Sequence, residues 1–209
     1  MAYFPFFVEM EGQRGLVAGG GTVALRKVEK LLPYGAQLTI VAPKVCKELQ
    51  KLAEQNAMQI RQETVRPEMA GGYDFVVAAT DDPEANHALA ARCREQKIPV
   101  NVVDDKEYCS FLFPSLVQSG PLSVGISTGG ASPTAAIWLR RQIEQLLPES
   151  LPDILRWLEQ LRPTLFRTLP SEARRAKAYA ALLEEALQKG RPLNNAETVL
   201  ILFPKWERR

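Results

Sequence analysis

The sequence is poor in cysteine, histidine and long apolar runs, and each shortage removes a class of protein. Three cysteines in 209 residues, Cys46, Cys93 and Cys109, are too few and too scattered for a disulfide framework. None forms a CxxC pair, and with a single histidine a structural zinc site is not expected, so no metal ligands are assigned. No run approaches the roughly 18 consecutive apolar residues of a membrane span, so no membrane partner is expected. The opening MAYFPFFVEMEGQ lacks a basic segment ahead of an apolar one and does not read as a signal peptide; the expected compartment is the cytoplasm. The 26 basic and 24 acidic side chains leave a formal charge of +2, so net charge alone supports no polyanion-binding surface, and no nucleic acid is expected as partner. What remains, 46% apolar and 24% charged, is the make-up of an ordinary globular protein of one large domain or two small ones.

The first hundred residues alternate strand-like and helix-like patterns. Gly15–Ala18 is a short apolar run ending in three glycines, and Val23, Ala24, Val28, Leu31 and Leu32 then mark one face of a helix that Pro33 and Gly35 end. Leu38–Ala42 is a second strand, followed by a helix around Lys44–Gln55 and a weaker strand near Met58–Arg61. Asp74–Ala79 is the strongest strand, Glu84–Gln96 an alanine-rich helix, and Pro99–Val103 a fifth strand. Apolar strands alternating with crossover helices predict parallel pairing with both faces covered: a Rossmann-like doubly wound α/β sheet.

After Asp104 the rhythm changes. Ser110–Leu116 and Leu122–Ser127 follow each other with no helix between them, which predicts antiparallel or edge strands. Ser132 and Pro133 then open a helix with Ala136, Leu139, Ile143, Leu146 and Leu147 as its stripe, broken by Pro148 and Pro152. The remainder reads as helical, with Pro163, Pro170, Gly190 and Pro192 as boundaries. Residues 1–131 carry a net charge of −2 and residues 132–209 a net +4. The basic excess, among it Arg140, Arg141, Arg156, Arg162, Arg167, Arg174, Arg175 and Lys177, is either a solvated helical surface or a collector of a polycarboxylate ligand.

Gly19-Gly20-Gly21-Thr22-Val23-Ala24 matches G-x-G-x-x-G/A, directly after a strand and opening a helix, which is the setting that makes the pattern informative. Gly19 suits the tight turn, Gly21 a close approach of a pyrophosphate, and Ala24 the packing of helix on strand. The acidic residue that usually follows about 20 positions on to hold a ribose hydroxyl is missing, since the second strand ends in Ala42-Pro43-Lys44. Pro43 and Lys44 are the candidates there, and these residues leave NAD and NADP unresolved. Thr80-Asp81-Asp82 after the fourth strand either lines the cofactor crevice or starts a helix with an acidic cap. Asp104 and Asp105 follow the fifth strand; His87, on the alanine-rich helix, reads as an ordinary imidazole rather than a catalyst.

VAGGGTVALRK (Val17–Lys27), AATDDPEANHALA (Ala78–Ala90), VNVVDDKEYCSFLFPS (Val100–Ser115) and PLSVGISTGGASP (Pro121–Pro133) together resemble the precorrin-2 dehydrogenase/sirohydrochlorin ferrochelatase family, which includes the N-terminal module of sirohaem synthase. The resemblance covers roughly residues 3–150, without the methyltransferase half of the fused synthase. It implies NAD-dependent oxidation of precorrin-2 to sirohydrochlorin, in some members with Fe²⁺ insertion to give sirohaem. It also implies a homodimer, with a Rossmann domain at 1–112, a small α+β dimerisation segment at 113–149 and a helical C-terminal domain at 150–209. The family's key aspartate lands on Asp104 as general base, and its cofactor contacts on Thr22, Val23, Pro43 and Lys44, beside Gly19, Gly21, Thr80 and Asp81. A serine phosphorylated in a fused relative aligns with Thr128, where a turn-stabilising role is the other reading; Ser127, Thr128 and Arg140 complete the substrate-side candidates. The rival reading is a regulatory module that binds NAD(H) without turnover and has no use for Asp104.

Overall fold

The five expected strands pair in one parallel sheet in the order β3-β2-β1-β4-β5, in a computed structural model that describes residues 3–203. The strands are β1 Arg14–Ala18, β2 Gln37–Val41, β3 Gln59–Arg61, β4 Phe75–Ala78 and β5 Val100–Val102. Ala18 of β1 lies beside Val41 of β2 and Ala78 of β4, and Ala78 beside Val102 of β5, so four strands end on one line. Strand order reverses between β1 and β4, which opens a crevice at their carboxyl ends.

Both faces of the sheet are covered, as the unbroken apolar runs predict. On one face α1 (Thr22–Leu31) and α2 (Lys47–Gln55) bury Ala24, Val28, Leu49 and Ala53 against Val17, Ile40 and Val77. On the other, α3 (Pro83–Glu95) buries Leu89, Ala90 and Cys93 against Leu16, Val76 and Val100. Asp82 caps α3 by accepting from the Glu84 and Ala85 N–H groups at 2.9 and 3.3 Å, with Pro83 in the first turn, where its missing N–H costs nothing.

The chain divides into two compact units, Phe4–Phe113 and the part from Pro114 onward. In the second, β6 (Ser115–Ser119) and β7 (Leu122–Ile126) form an antiparallel pair of their own. The strand expected from Ser110 therefore begins five residues later: the Ser110 hydroxyl accepts from the Val100 N–H, and Asn101 donates to the Phe111 carbonyl, so that segment is tied to β5 as a loop. Ser132 caps α4 (Pro133–Leu146) through a bond from the Ala135 N–H, as its sequence signals predict. Helices α5 (Leu151–Thr168), α6 (Glu172–Lys189) and α7 (Asn195–Leu202) share a core of Ile154, Leu165, Leu182, Ala186 and Leu193.

Two proline boundaries are overturned. Pro152 sits in the first turn of α5 rather than breaking a helix, and Pro163 lies inside α5. Interior proline costs about 3 kcal/mol, yet the apolar stripe on both sides of it, from Ile154 to Leu165, is packed into one core and keeps the helix continuous. Glu197, in the first turn of α7, accepts from Arg191, Lys189 and the Asn194 N–H at 2.8 Å each. The Arg191 guanidinium first, then Lys189, hold its carboxyl well below the usual carboxylate range. A depressed folded-state pKa stabilises above the unfolded value, near 4.3, and that stabilisation fades as pH falls toward the folded one. Glu197→Gln should therefore unfold at lower temperature than the parent at neutral pH, with the gap closing in a thermal scan as pH drops below about 4.

Candidate cofactor and substrate site

The glycine turn joins β1 to α1 at the crevice. Gly19 has φ +124°, and a Cβ there would run into the Ala79 carbonyl; one at Gly20 would meet the Lys44 carbonyl. These two glycines are demanded by the chain's own packing. Gly21 is different: among the described residues nothing lies within 4 Å of the Cβ it lacks. Its missing side chain leaves open space over the start of α1. That helix begins with no side-chain cap and no acidic residue in its first turn, so N–H groups at Thr22 and Val23 are free for an anion. Open space, free donors and the helix dipole together fit a pyrophosphate.

The other cofactor candidates gather at the same sheet edge. Pro43 and Lys44, both exposed, leave the end of β2 directly against the turn, where the Cys46 N–H donates to the Gly20 carbonyl at 2.8 Å. Thr80 and Asp81 leave the end of β4. The Thr80 hydroxyl is within 2.7 Å of Asn86 Oδ1, and Asn86 Nδ2 donates back to the Thr80 carbonyl, so Thr80 braces the start of α3. Asp82 is the acidic cap that the alternative reading foresaw, while Asp81 is left exposed.

Asp104 stands just beyond β5, exposed, in a turn that holds it at φ +58°. Aspartate tolerates this left-handed conformation better than most residues. Cys109, buried beneath, holds the turn: its Sγ accepts from the Val102 N–H at 3.2 Å and lies 3.1 and 3.2 Å from the Val102 and Asp105 carbonyls. Burial pushes this thiol's pKa up, which keeps it protonated and able to donate to one of them. Asp105 is committed elsewhere, with Oδ2 2.7 Å from His87 Nε2, while Tyr108 stacks flat on that imidazole at 3.8 Å. His87 is thus an anchor for Asp105, and Asp104 keeps its carboxylate toward solvent.

Two site features escaped the sequence. Asn101, inside β5, donates to the Phe111 carbonyl, yet its Oδ1 is buried with no partner among the described residues, an acceptor able to receive a donor from a bound group. Lys27, on the second turn of α1, lies with Nζ 4.0 Å above the Phe113 ring. Its sequence signal was present but weak: it follows the buried Ala24 by three residues and so borders the packed face of the helix.

The substrate-side candidates lie in the second unit and are occupied locally. Ser127 Oγ accepts from the Gly129 N–H at 3.2 Å. Thr128 Oγ1 accepts from the Ser132 N–H and donates to the Ser132 carbonyl, both at 3.1 Å, the turn-stabilising geometry. Arg140 pairs with Glu144 at 2.6 Å. Among the other tail cations, Arg156 pairs with Asp153, while Arg162 and Arg175 flank the Phe166 ring.

A concavity of about 730 Å³ lined by Arg14, Gln37, Asn56, Arg61 and Tyr73 sits at the opposite, amino edge of the sheet. Ligands of open α/β sheets bind at the carboxyl edge, so it is not the site. Among the described residues no three His, Cys, Asp or Glu side chains converge as metal ligands, and no helix is long and apolar enough to cross a membrane.

A parallel sheet with a glycine turn at its topological switch and an uncapped helix behind it defines a nicotinamide-dinucleotide-binding protein. Residues 6–115 match the family described as putative NAD(P)-binding, and residues 119–146 match the sirohaem biosynthesis protein central family. Siroheme synthase of Photorhabdus laumondii is 41% identical over 169 residues, 79% of this chain and 36% of that protein. Siroheme synthase of Methylococcus capsulatus is 35% identical over 205 residues, 96% of this chain and 43% of that protein. Among solved structures, SirC, a precorrin-2 dehydrogenase, superposes with TM-score 0.73 at 25% identity, covering 99% of this chain and 100% of that one. The chain belongs to the family described as putative NAD(P)-binding, and beyond that segment it is similar to sirohaem synthases and to SirC. It spans about two fifths of the length of the curated sirohaem synthases it matches.

Proposed function

We propose that the protein oxidises precorrin-2 to sirohydrochlorin with NAD as hydride acceptor and Asp104 as general base. The observation that carries this reading is the meeting, at one sheet edge, of an open glycine turn and an aspartate whose carboxylate has no hydrogen bond or contact ion pair among the described residues. A bound nicotinamide would supply the two-electron acceptor. The chain supplies the rest. Gly21 and the Thr22 and Val23 N–H groups hold the pyrophosphate, Pro43 and Lys44 border the adenosine end, and Thr80 and Asp81 border the far end of the crevice. Loss of a hydride from the macrocycle leaves a carbon-bound proton to be removed, and Asp104 Oδ accepts it. The engagement of Asp105 by His87 supports Asp104, rather than its neighbour, in this role.

Sirohydrochlorin and Fe²⁺ are further substrates of the same site in this reading: the macrocycle supplies the ligating nitrogens, and Asp104 takes pyrrole protons as the metal enters. Ser127, Thr128 and Arg140 are proposed to reach the substrate's carboxylates, and the active form is proposed to be a homodimer in the cytoplasm. The test is incubation of the protein with precorrin-2 and NAD, followed by absorption. Appearance of the sirohydrochlorin spectrum with stoichiometric NADH is expected. Tight NADH binding without any spectral change would instead establish the regulatory, non-catalytic reading. Adding Fe²⁺ to sirohydrochlorin and the protein reads chelation separately, with rates compared to the uncatalysed insertion.

A further inference from the structure

We infer that Lys27 is a substrate-binding residue, whose ammonium receives one of the carboxylates of the macrocycle while Asp104 faces the reacting carbon; this rests on the functional reading above. Helical side chains lean toward the N-terminus of their helix, and the N-terminus of α1 is at the glycine turn, on the carboxyl edge of the sheet. The four-carbon stem of Lys27 therefore carries its charge toward the crevice, and the Phe113 ring, 4.0 Å below Nζ, fixes where it stops. Phe113 is held in turn by the tilted Phe111 ring, 5.5 Å away.

The charge is only partly compensated there. Burial of the stem lowers the pKa of Lys27, Lys30 pushes the same way, and the Asp104 carboxylate counteracts it. Asp104 is thus near enough to attract the ammonium, but the two do not close into a contact ion pair among the described residues. A half-buried cation without a contact partner gains from an incoming anion more than a solvated one does. The proposed substrate carries eight carboxylates, so an acidic arm on Lys27 and a ring carbon at Asp104 is an arrangement the substrate chemistry can meet. Lysine suits this task because its compact ammonium serves a carboxylate without demanding a planar, two-point contact.

The test compares the parent with Lys27→Met, which keeps the stem and removes the charge, and with Lys27→Arg, which restores a cation. Sirohydrochlorin binding is followed by its absorption, NADH binding by fluorescence, and turnover at varied precorrin-2. For Lys27→Met a roughly tenfold weaker sirohydrochlorin Kd and a similar rise in the KM for precorrin-2 are expected. NADH affinity and kcat should stay within about twofold, and Lys27→Arg should recover most of the loss. Sirohydrochlorin affinity equal to the parent's in Lys27→Met overturns the inference, as does a fall in kcat with KM unchanged. Should the parent bind sirohydrochlorin through Lys27 yet never oxidise precorrin-2, the dehydrogenase reading fails and the binding role of Lys27 stands. A parent that binds no sirohydrochlorin ends both.

Discussion

Asp104→Asn should lower the rate of precorrin-2 oxidation by roughly 10²–10⁴-fold, the range over which a positioned general base acts, while NADH binds as it does to the parent. Asparagine is the informative replacement. Position 104 is held at φ +58°, and asparagine, like aspartate, visits that conformation at little cost. Among the described residues no hydrogen bond or contact ion pair depends on a charge there, and Lys27 feels it only at longer range: the turn is held by Cys109, and the neighbouring carboxylate by His87. Asp104→Ala removes the base as well, but adds strain of about 1–2 kcal/mol from an alanine in the left-handed region, so a loss of activity there mixes chemistry with backbone. Asp105→Asn is the contrasting variant. It keeps the Asp104 carboxylate and loosens the His87 contact, so its turnover should exceed that of Asp104→Asn by at least tenfold if the assignment is right. Steady-state turnover near the parent's in a folded Asp104→Asn would refute the role.

The second large effect is expected at the glycine turn. Gly21→Asp should weaken NADH binding about 10- to 100-fold, because it places a carboxylate where the pyrophosphate approaches. Two unit charges about 4 Å apart repel by roughly 1–4 kcal/mol between bulk water and a protein surface, and each 1.4 kcal/mol is about tenfold in affinity. The variant should nonetheless fold, since φ at Gly21 is an ordinary −88° and no atom of the described residues occupies the space beside it. Gly20→Ala makes the opposite prediction: its Cβ would strike the Lys44 carbonyl, so stability falls before cofactor affinity can be measured cleanly. A fluorescence titration of NADH alongside a thermal scan separates the two. A folded Gly21→Asp that binds NADH like the parent would show that the turn is not the phosphate cradle.

The parts legible in advance were those whose signals are local. The switch from continuous apolar runs to 3.6-residue periodicity placed all five parallel strands within one or two residues of their observed ends; Ser132-Pro133 marked a helix start that its capping bond bears out, and Asp82-Pro83 offered a second as one of two open readings. The misplaced features share one cause. Ser110–Pro114 has a strand's composition, but its hydrogen-bonding groups are taken by β5, and Pro163 breaks a helix in isolation but not one packed along both flanks. In each case packing with another element outweighed the local preference.

Chain chemistry by itself determined the order of the elements, the parallel sheet and the position of the glycine turn, since periodicity and turn stereochemistry act between residues a few positions apart. Only the tertiary structure decided which of two adjacent aspartates stays unengaged, because the choice depends on His87, 18 residues from Asp105 along the chain. It likewise decided that the Lys27 ammonium settles over the Phe113 ring, which no spacing rule connects to it. Contacts between such distant residues form when the sheet brings its strand ends together, and their energies are absent from any local pattern.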